Sequence, residues 1–113
     1  MISGEAPSIG RVMVATDRSE TADRAVRWAT TMAANHQAEL LLFQVLPAAA
    51  ADEDSELENI LGRAGEELRL FAEELAGPRG RARVVSDVDP AQAILDAVEE
   101  ERVDMVVVGN VGM

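Results

Sequence analysis

Apolar residues along this chain alternate between short, nearly continuous runs and longer segments in which they recur every three or four positions. The short runs are typical of strands buried on both faces of a parallel sheet, and the spaced segments are typical of amphipathic helices. The predicted strands comprise residues 9–16, 39–46, 81–86 and 103–108. Strands that alternate with helices in this way predict a parallel sheet with right-handed crossovers and helices on both faces.

Polar residues mark where the predicted helices begin and end. Ser19 is a candidate N-cap for the first helix. Ser55, with Glu58 three residues later, fits a capping box for the second helix, which the Gly-Pro pair at 77–78 would end. Asp89, directly before a proline, predicts the start of the third helix. These positions divide one continuous domain into its elements.

Composition narrows the chemistry that this chain can carry. Its 113 residues are 48% hydrophobic, with a formal net charge of −11, no cysteine and no lysine. An acidic chain is a poor partner for nucleic acid or anionic membranes, so we expect neither. Thiol chemistry, a phosphate-binding lysine and a Schiff base are excluded within the chain. We expect a cytoplasmic protein, because no signal peptide or membrane-length apolar run is evident.

Three segments resemble motifs of the universal stress protein family. Residues 14–19, VATDRS, are similar to V-x-x-D-G-S; residues 89–95, DPAQAIL, are similar to the end of G-D-P-x-x-x-I-L; and residues 104–112, DMVVVGNVG, are similar to D-x-V-V-V-G-x-x-G. Arg18 and Val88 stand where the family often has glycine. The order and spacing of the three segments together make the resemblance specific.

The resemblance implies an open parallel α/β sheet of the adenine nucleotide alpha hydrolase-like, Rossmann-like type. Its strand order is 3-2-1-4-5, and most family members form homodimers. This chain reaches Met113, inside the family's phosphate loop. We therefore expect a flexible N-terminus over residues 1–8 and one domain over residues 9–113, with strand order 3-2-1-4 and without the last helix and strand. The fourth strand, apolar on both faces, would then be an open edge.

The predicted site lies where strands one and four end side by side, because ligands bind at such a switch point of an open parallel sheet. The resemblance places Asp17 beside adenosine, Val45 on an apolar wall, and a G-x-x-G at the phosphates. The alternatives are a turn residue or helix cap for Asp17, ordinary core for Val45, and a turn after an edge strand for the glycines. The predicted nucleotide-binding residues are Ala15, Thr16, Asp17, Val45, Gly109, Asn110 and Gly112.

The function that these residues favour is regulatory binding of an adenine nucleotide. The resemblance implies ATP, with AMP or cyclic AMP as alternatives, and Mg²⁺ accompanying ATP. No general base or metal cluster is evident, so we expect no enzymatic activity beyond very slow ATP hydrolysis. One alternative is a protein interaction module of the same fold that binds no nucleotide. Another is a phosphoacceptor receiver domain with Asp87 as acceptor. Trp28 is expected to pack within its helix.

Overall fold

The structure, a computed structural model, describes residues 8–47 and 54–109. Within these ranges strands and helices alternate, as the apolar pattern predicts. The strands are β1 (Arg11–Ala15), β2 (Glu39–Pro47), β3 (Gly80–Asp87) and β4 (Met105–Val108). The helices are α1 (Glu20–His36), α2 (Asp54–Ala76) and α3 (Pro90–Glu100), and a 3₁₀ turn at Gly77–Arg79 joins α2 to β3. The predictions for residues 1–7, for the loop at 48–53 and for residues 110–113 lie outside the described residues.

The described strands form one parallel sheet in the order β3-β2-β1-β4. Val14 lies opposite Leu42 on β2 and opposite Val107 on β4, so β1 occupies the interior of the sheet. The predicted order of these four strands is confirmed. β1 and β4 are far apart in sequence but are parallel neighbours in the sheet, so their carboxyl ends meet at one edge.

Two apolar clusters lie on opposite faces of the sheet, as predicted. One joins alternate residues of β1 and β2 to α1 and α2, with Val12, Val14, Leu40, Leu42, Val26 and Leu68 among its buried members. The other joins Met13, Leu41 and Phe43 to Ala93 and Ala97 of α3. The sheet is therefore covered by two helices on one face and by α3 on the other.

The helix starts are set by local side-chain hydrogen bonds. The Ser19 hydroxyl accepts a hydrogen bond from the backbone N–H of Ala22 at 3.2 Å, and an Asp89 carboxylate oxygen accepts one from the N–H of Gln92 at 3.2 Å. Both predicted caps are confirmed. α2 begins at Asp54, one residue before the predicted cap at Ser55, whose side chain lies outside the described residues.

The carboxylate of Asp104 links the amino-terminal ends of β1 and β4 by hydrogen bonds. Asp104 accepts hydrogen bonds from the backbone N–H groups of Gly10, at 2.7 Å, and Arg11, at 3.0 Å. The Arg11 guanidinium in turn pairs with Glu39 at 2.6 Å and donates to the backbone carbonyl of Glu101. These contacts hold three separate segments in register at the end of the sheet opposite the predicted site.

Exposed apolar residues occur on β4 and on α1. β4 is an edge strand among the described residues, as predicted: Met105 and Val107 pack on the core, and Val106 and Val108 are 42% and 60% exposed. In the described chain β4 pairs with β1 alone, and α3 does not cover its outer positions. Trp28 is 54% exposed rather than packed, because it lies off the helix face that carries Ala22, Val26 and Ala29.

Candidate functional site: a cleft between the ends of β1 and β4

The ends of β1 and β4 form the floor of a cleft at the carboxyl edge of the sheet. Ala15, the last residue of β1, lies opposite Val108, the last residue of β4. The backbone N–H of Thr16 donates to the carbonyl of Phe43 at 2.8 Å, which continues the β1–β2 pairing past the strand end. From here β1 leads into α1 on one face, whereas β4 follows α3 from the other face. The two strand ends therefore form a switch point.

The cleft has a volume of about 360 Å³, which lies within the size range of small-molecule sites. Five of the predicted site residues line it together: Ala15, Thr16, Asp17, Val45 and Gly109. The two other predicted residues, Asn110 and Gly112, lie outside the described residues. Strand ends that are remote in sequence thus contribute to one concave surface, as the switch-point argument requires.

Sequence reasoning missed part of the apolar wall. Phe43 lines the cleft beside Val45, and Pro90 and Ile94 line it from the first turns of α3. Phe43 and Val45 share a sheet face because side chains alternate along a strand. Pro90 and Ile94 share a helix face because they are four residues apart. The alternation along β2 and the four-residue spacing in α3 were the signals available in the sequence. Only the packing of α3 against β2 brings the two pairs of side chains together.

The turn after β1 is held by side chains that bond to backbone groups nearby. The Thr16 hydroxyl accepts from the N–H of Arg18 at 2.9 Å, and the Asp17 carboxylate accepts from the N–H of Ser19 at 2.9 Å. Thr16 is buried, so this turn is anchored to the protein interior. Arg18 adopts a left-handed conformation with φ of 68°, which explains why glycine suits this position of the family motif.

Asp17 carries a negative charge at the mouth of the cleft. Hydrogen bonding by the Ser19 side chain, and then by its backbone N–H, holds the pKa of the Asp17 carboxyl below its usual value. The group is therefore ionised at neutral pH and can only accept hydrogen bonds. An exposed carboxylate beside an apolar wall suits a ligand that has a flat apolar part and hydroxyl or amino donors.

Gly109 lies against α1 rather than at a strained turn. A Cβ atom built on it would lie 3.4 Å from the carbonyl oxygen of Thr21 and 3.5 Å from Cα of Ala22. Its φ is not in the positive range, so no left-handed conformation requires glycine here. Both Cβ distances are ordinary van der Waals distances, so the end of β4 packs on the start of α1 with room for one methyl group.

The sheet order also excludes the receiver-domain alternative. In the receiver fold the third strand lies next to the first, in the order 2-1-3-4-5. Here β3 pairs with β2, which separates it from β1. Asp87 therefore ends an outer strand, and it does not line the cleft that contains Asp17. Its carboxylate accepts from the N–H of Asp89 at 2.9 Å, which is a turn contact.

An open parallel sheet with a ligand-sized cleft at its switch point defines the doubly wound α/β class of ligand-binding domains. A sequence profile described as the universal stress protein family matches residues 8–113. The chain belongs to the universal stress protein family. No curated protein matches its sequence significantly.

Solved structures share this fold. A protein from Mycobacterium tuberculosis H37Rv is 27% identical, with a TM-score of 0.64 over 96% of this chain and 77% of that one. A universal stress protein in complex with cAMP is 26% identical, with a TM-score of 0.72 over 93% of this chain and 79% of that one. A universal stress protein family member from Burkholderia pseudomallei, 24% identical, has a TM-score of 0.76 over 94% and 85%.

Two further features bear on partners. None of the helices within residues 8–47 and 54–109 has the length and apolar character needed to cross a bilayer. Within the same residues no three or more His, Asp or Glu side chains are grouped so that they could hold a metal ion.

Proposed function

We propose that this protein binds an adenine nucleotide in the cleft between β1 and β4 and acts as a regulatory, stress-response protein. The observation that carries the proposal is the pairing of an apolar wall, formed by Phe43, Val45 and Ile94, with the ionised Asp17 at the mouth. An adenine base offers flat apolar faces to such a wall, and its ribose offers hydroxyl donors to a carboxylate. The related protein solved with cAMP supports the same ligand class.

Charge determines how the nucleotide would lie. A phosphate placed beside Asp17 would be repelled, so the nucleoside end belongs there and the phosphates extend past Gly109. No basic side chain is among the described residues that line the cleft, so backbone N–H groups would have to hold the phosphates. The predicted phosphate contacts at Asn110 and Gly112 remain part of the proposal.

The proposed ligands are ATP and, as alternatives, AMP and cyclic AMP. The described residues contain no group of side chains suited to hold a metal, so Mg²⁺ would reach the site on the phosphates of ATP. We propose binding without turnover beyond very slow hydrolysis. A cytoplasmic location and a homodimeric assembly belong to the same proposal, and light scattering of the purified chain measures the assembly.

Two aspartates in matching local positions provide the test. Asp17 follows β1, and Asp87 ends β3. Each accepts a hydrogen bond at 2.9 Å from the backbone N–H two residues later, but only Asp17 lines the cleft. Asparagine at either position keeps an acceptor oxygen for that turn contact. The variant Asp17→Asn should therefore weaken nucleotide binding by about tenfold or more, because a charge-assisted hydrogen bond is lost, and Asp87→Asn should not.

Isothermal titration calorimetry with AMP, cyclic AMP and Mg-ATP measures this difference. Equal affinities of Asp17→Asn and the unaltered chain would place the nucleotide elsewhere. If none of the three nucleotides binds, the proposed function fails. The remaining candidate is then a protein interaction module of the same fold, which the exposed Val106 and Val108 on β4 favour.

A further inference from the structure

A second depression, here named the arginine pocket, lies on the sheet face opposite α3. It has a volume of about 420 Å³. Its apolar floor comes from one side of α2, where Ile60, Ala64 and Leu68 recur every four residues. Its polar lining consists of Arg18, Gln44, Arg63 and Glu67. The pocket therefore combines an apolar floor with two guanidinium groups. One of them belongs to Arg18, the residue that follows Asp17 of the cleft.

Arg18 is held in place before any ligand arrives. Its left-handed backbone, with φ of 68°, is stabilised by the hydrogen bond from its N–H to the hydroxyl of the buried Thr16. Its guanidinium carbon lies 4.1 Å from the centre of the Phe71 ring, which is a cation–π contact. Stacking of this kind uses the face of the guanidinium and leaves its edge N–H groups available to an anion.

Arg63 differs from the other arginine on the same helix. Arg69 is paired with two carboxylates, Glu66 at 2.6 Å and Glu73. Among the side chains that the structure describes, Arg63 has no such ion pair, although Glu67 lies one turn away. In a chain with net charge −11, two guanidiniums that face one cavity form a local positive site.

We propose that the arginine pocket binds a small organic monocarboxylate with an apolar body. A planar guanidinium matches a carboxylate through two parallel hydrogen bonds, and the apolar body would cover the floor formed by α2. Glu67 in the same lining disfavours ligands with several negative charges, such as a nucleoside triphosphate. The inference is independent of the proposed nucleotide function, because it concerns other side chains on the other face of the sheet.

Octanoate and octan-1-ol form a matched pair of probes, since they share an apolar chain and differ in charge. Titration into the ¹⁵N-labelled chain should give saturable chemical-shift changes for octanoate at the amides of residues 60–68 and of Arg18. Octan-1-ol should bind at least about tenfold more weakly, because it lacks the charge that the guanidiniums recognise. Equal responses to both probes, or shifts scattered over the surface, would overturn the proposal.

Arg63→Gln tests the pocket directly, and Arg24→Gln is its control, because Arg24 is exposed on α1 and does not line the pocket. Both remove one positive charge from the surface. Arg63→Gln should weaken octanoate binding about tenfold, and Arg24→Gln should leave it unchanged, with equal melting temperatures showing that both variants are folded. Similar losses in the two variants would indicate only a net-charge effect and refute the site. Displacement of octanoate by AMP at the same amides would also refute a separate pocket.

Discussion

Gly80, the first residue of β3, lies directly against the backbone of α2. A Cβ atom built on Gly80 would lie 2.5 Å from the carbonyl carbon of Ala72 and 3.1 Å from the backbone N of Glu73. Both atoms belong to the backbone of α2, so no side chain can rotate away to make room. Gly80→Ala should therefore force the helix and the strand apart and destabilise the protein.

The expected size of this effect follows from the overlap. Carbon atoms in contact normally lie about 3.5–4.0 Å apart, so α2 would have to shift by roughly 1 Å. Overpacking in a well-packed interior usually costs about 1–3 kcal/mol, and a rigid backbone neighbour places Gly80→Ala near about 3 kcal/mol. A loss of that size is a large part of the total stability of a domain, which is about 5–15 kcal/mol.

Gly62→Ala is the matched control within α2. A Cβ atom at Gly62 would meet nothing within 4 Å, and the residue is exposed in the middle of the helix. Alanine should therefore stabilise the protein there by about 0.5–1 kcal/mol, because it restricts the unfolded chain and favours helix. The same chemical change is thus expected to have opposite signs at the two glycines. Since both variants restrict the unfolded chain, that contribution cancels in their difference, which leaves the steric contact at Gly80 and the helix preference at Gly62.

Urea denaturation followed by far-UV circular dichroism measures both variants. With a slope of about 1–3 kcal/mol per molar urea, the midpoint of Gly80→Ala should fall by roughly 1 M or more, and that of Gly62→Ala should rise slightly. A Gly80→Ala midpoint equal to that of the unaltered chain would show that α2 does not approach β3 as closely as the structure places it.

Three further substitutions test the turn after β1, the tie between β1 and β4, and the strand end at the cleft. Ser19→Ala should raise the pKa of Asp17 part of the way toward its ordinary value in an NMR titration, because it removes the Ser19 side-chain hydrogen bond and keeps the one from the backbone N–H. The stability linked to this low pKa is present above the unfolded-state pKa and is lost as pH falls through the folded-state pKa. The same variant should lose about 1 kcal/mol from the missing helix cap at every pH. Asp104→Ala should cost about 2 kcal/mol and speed hydrogen exchange at the Gly10 and Arg11 amides, and unchanged exchange there would contradict the tie. Gly109→Ala should cost less than about 1 kcal/mol in urea denaturation, since its Cβ contacts begin at 3.4 Å; a larger loss would mean tighter packing on α1.

Much of the fold follows from local pattern. The apolar runs and the helical spacing predicted the four strands and three helices that residues 8–47 and 54–109 form. The caps at Ser19 and Asp89 were predicted because a cap depends on residues only two or three positions away. The end of α2 was predicted by the Gly-Pro pair at 77–78 for the same local reason. The start of α2, at Asp54, differs by one residue from the predicted cap at Ser55, which is within the usual uncertainty of a helix boundary.

The candidate site was predicted only in part. The motif resemblance and the switch-point rule brought Asp17, Val45 and Gly109 to one edge, and the structure places all three on one cleft. Phe43 and Ile94 were missed because nothing in the sequence states which helix covers which part of β2. The apolar run of the fourth strand does not show which of its residues face the core, so only the structure shows that Val107 packs there whereas Val106 is exposed.

By itself the sequence determined the order of the elements, most of their ends and the parallel arrangement of the strands, because these depend on periodicity and on neighbours along the chain. Only the tertiary structure decided the contacts between remote segments. The close approach of α2 to Gly80, the stacking of Arg18 on Phe71 and the arginine pocket beside it are of this kind. Such contacts depend on how helices settle on the sheet to within an ångström, and close packing, rather than local preference, sets that distance.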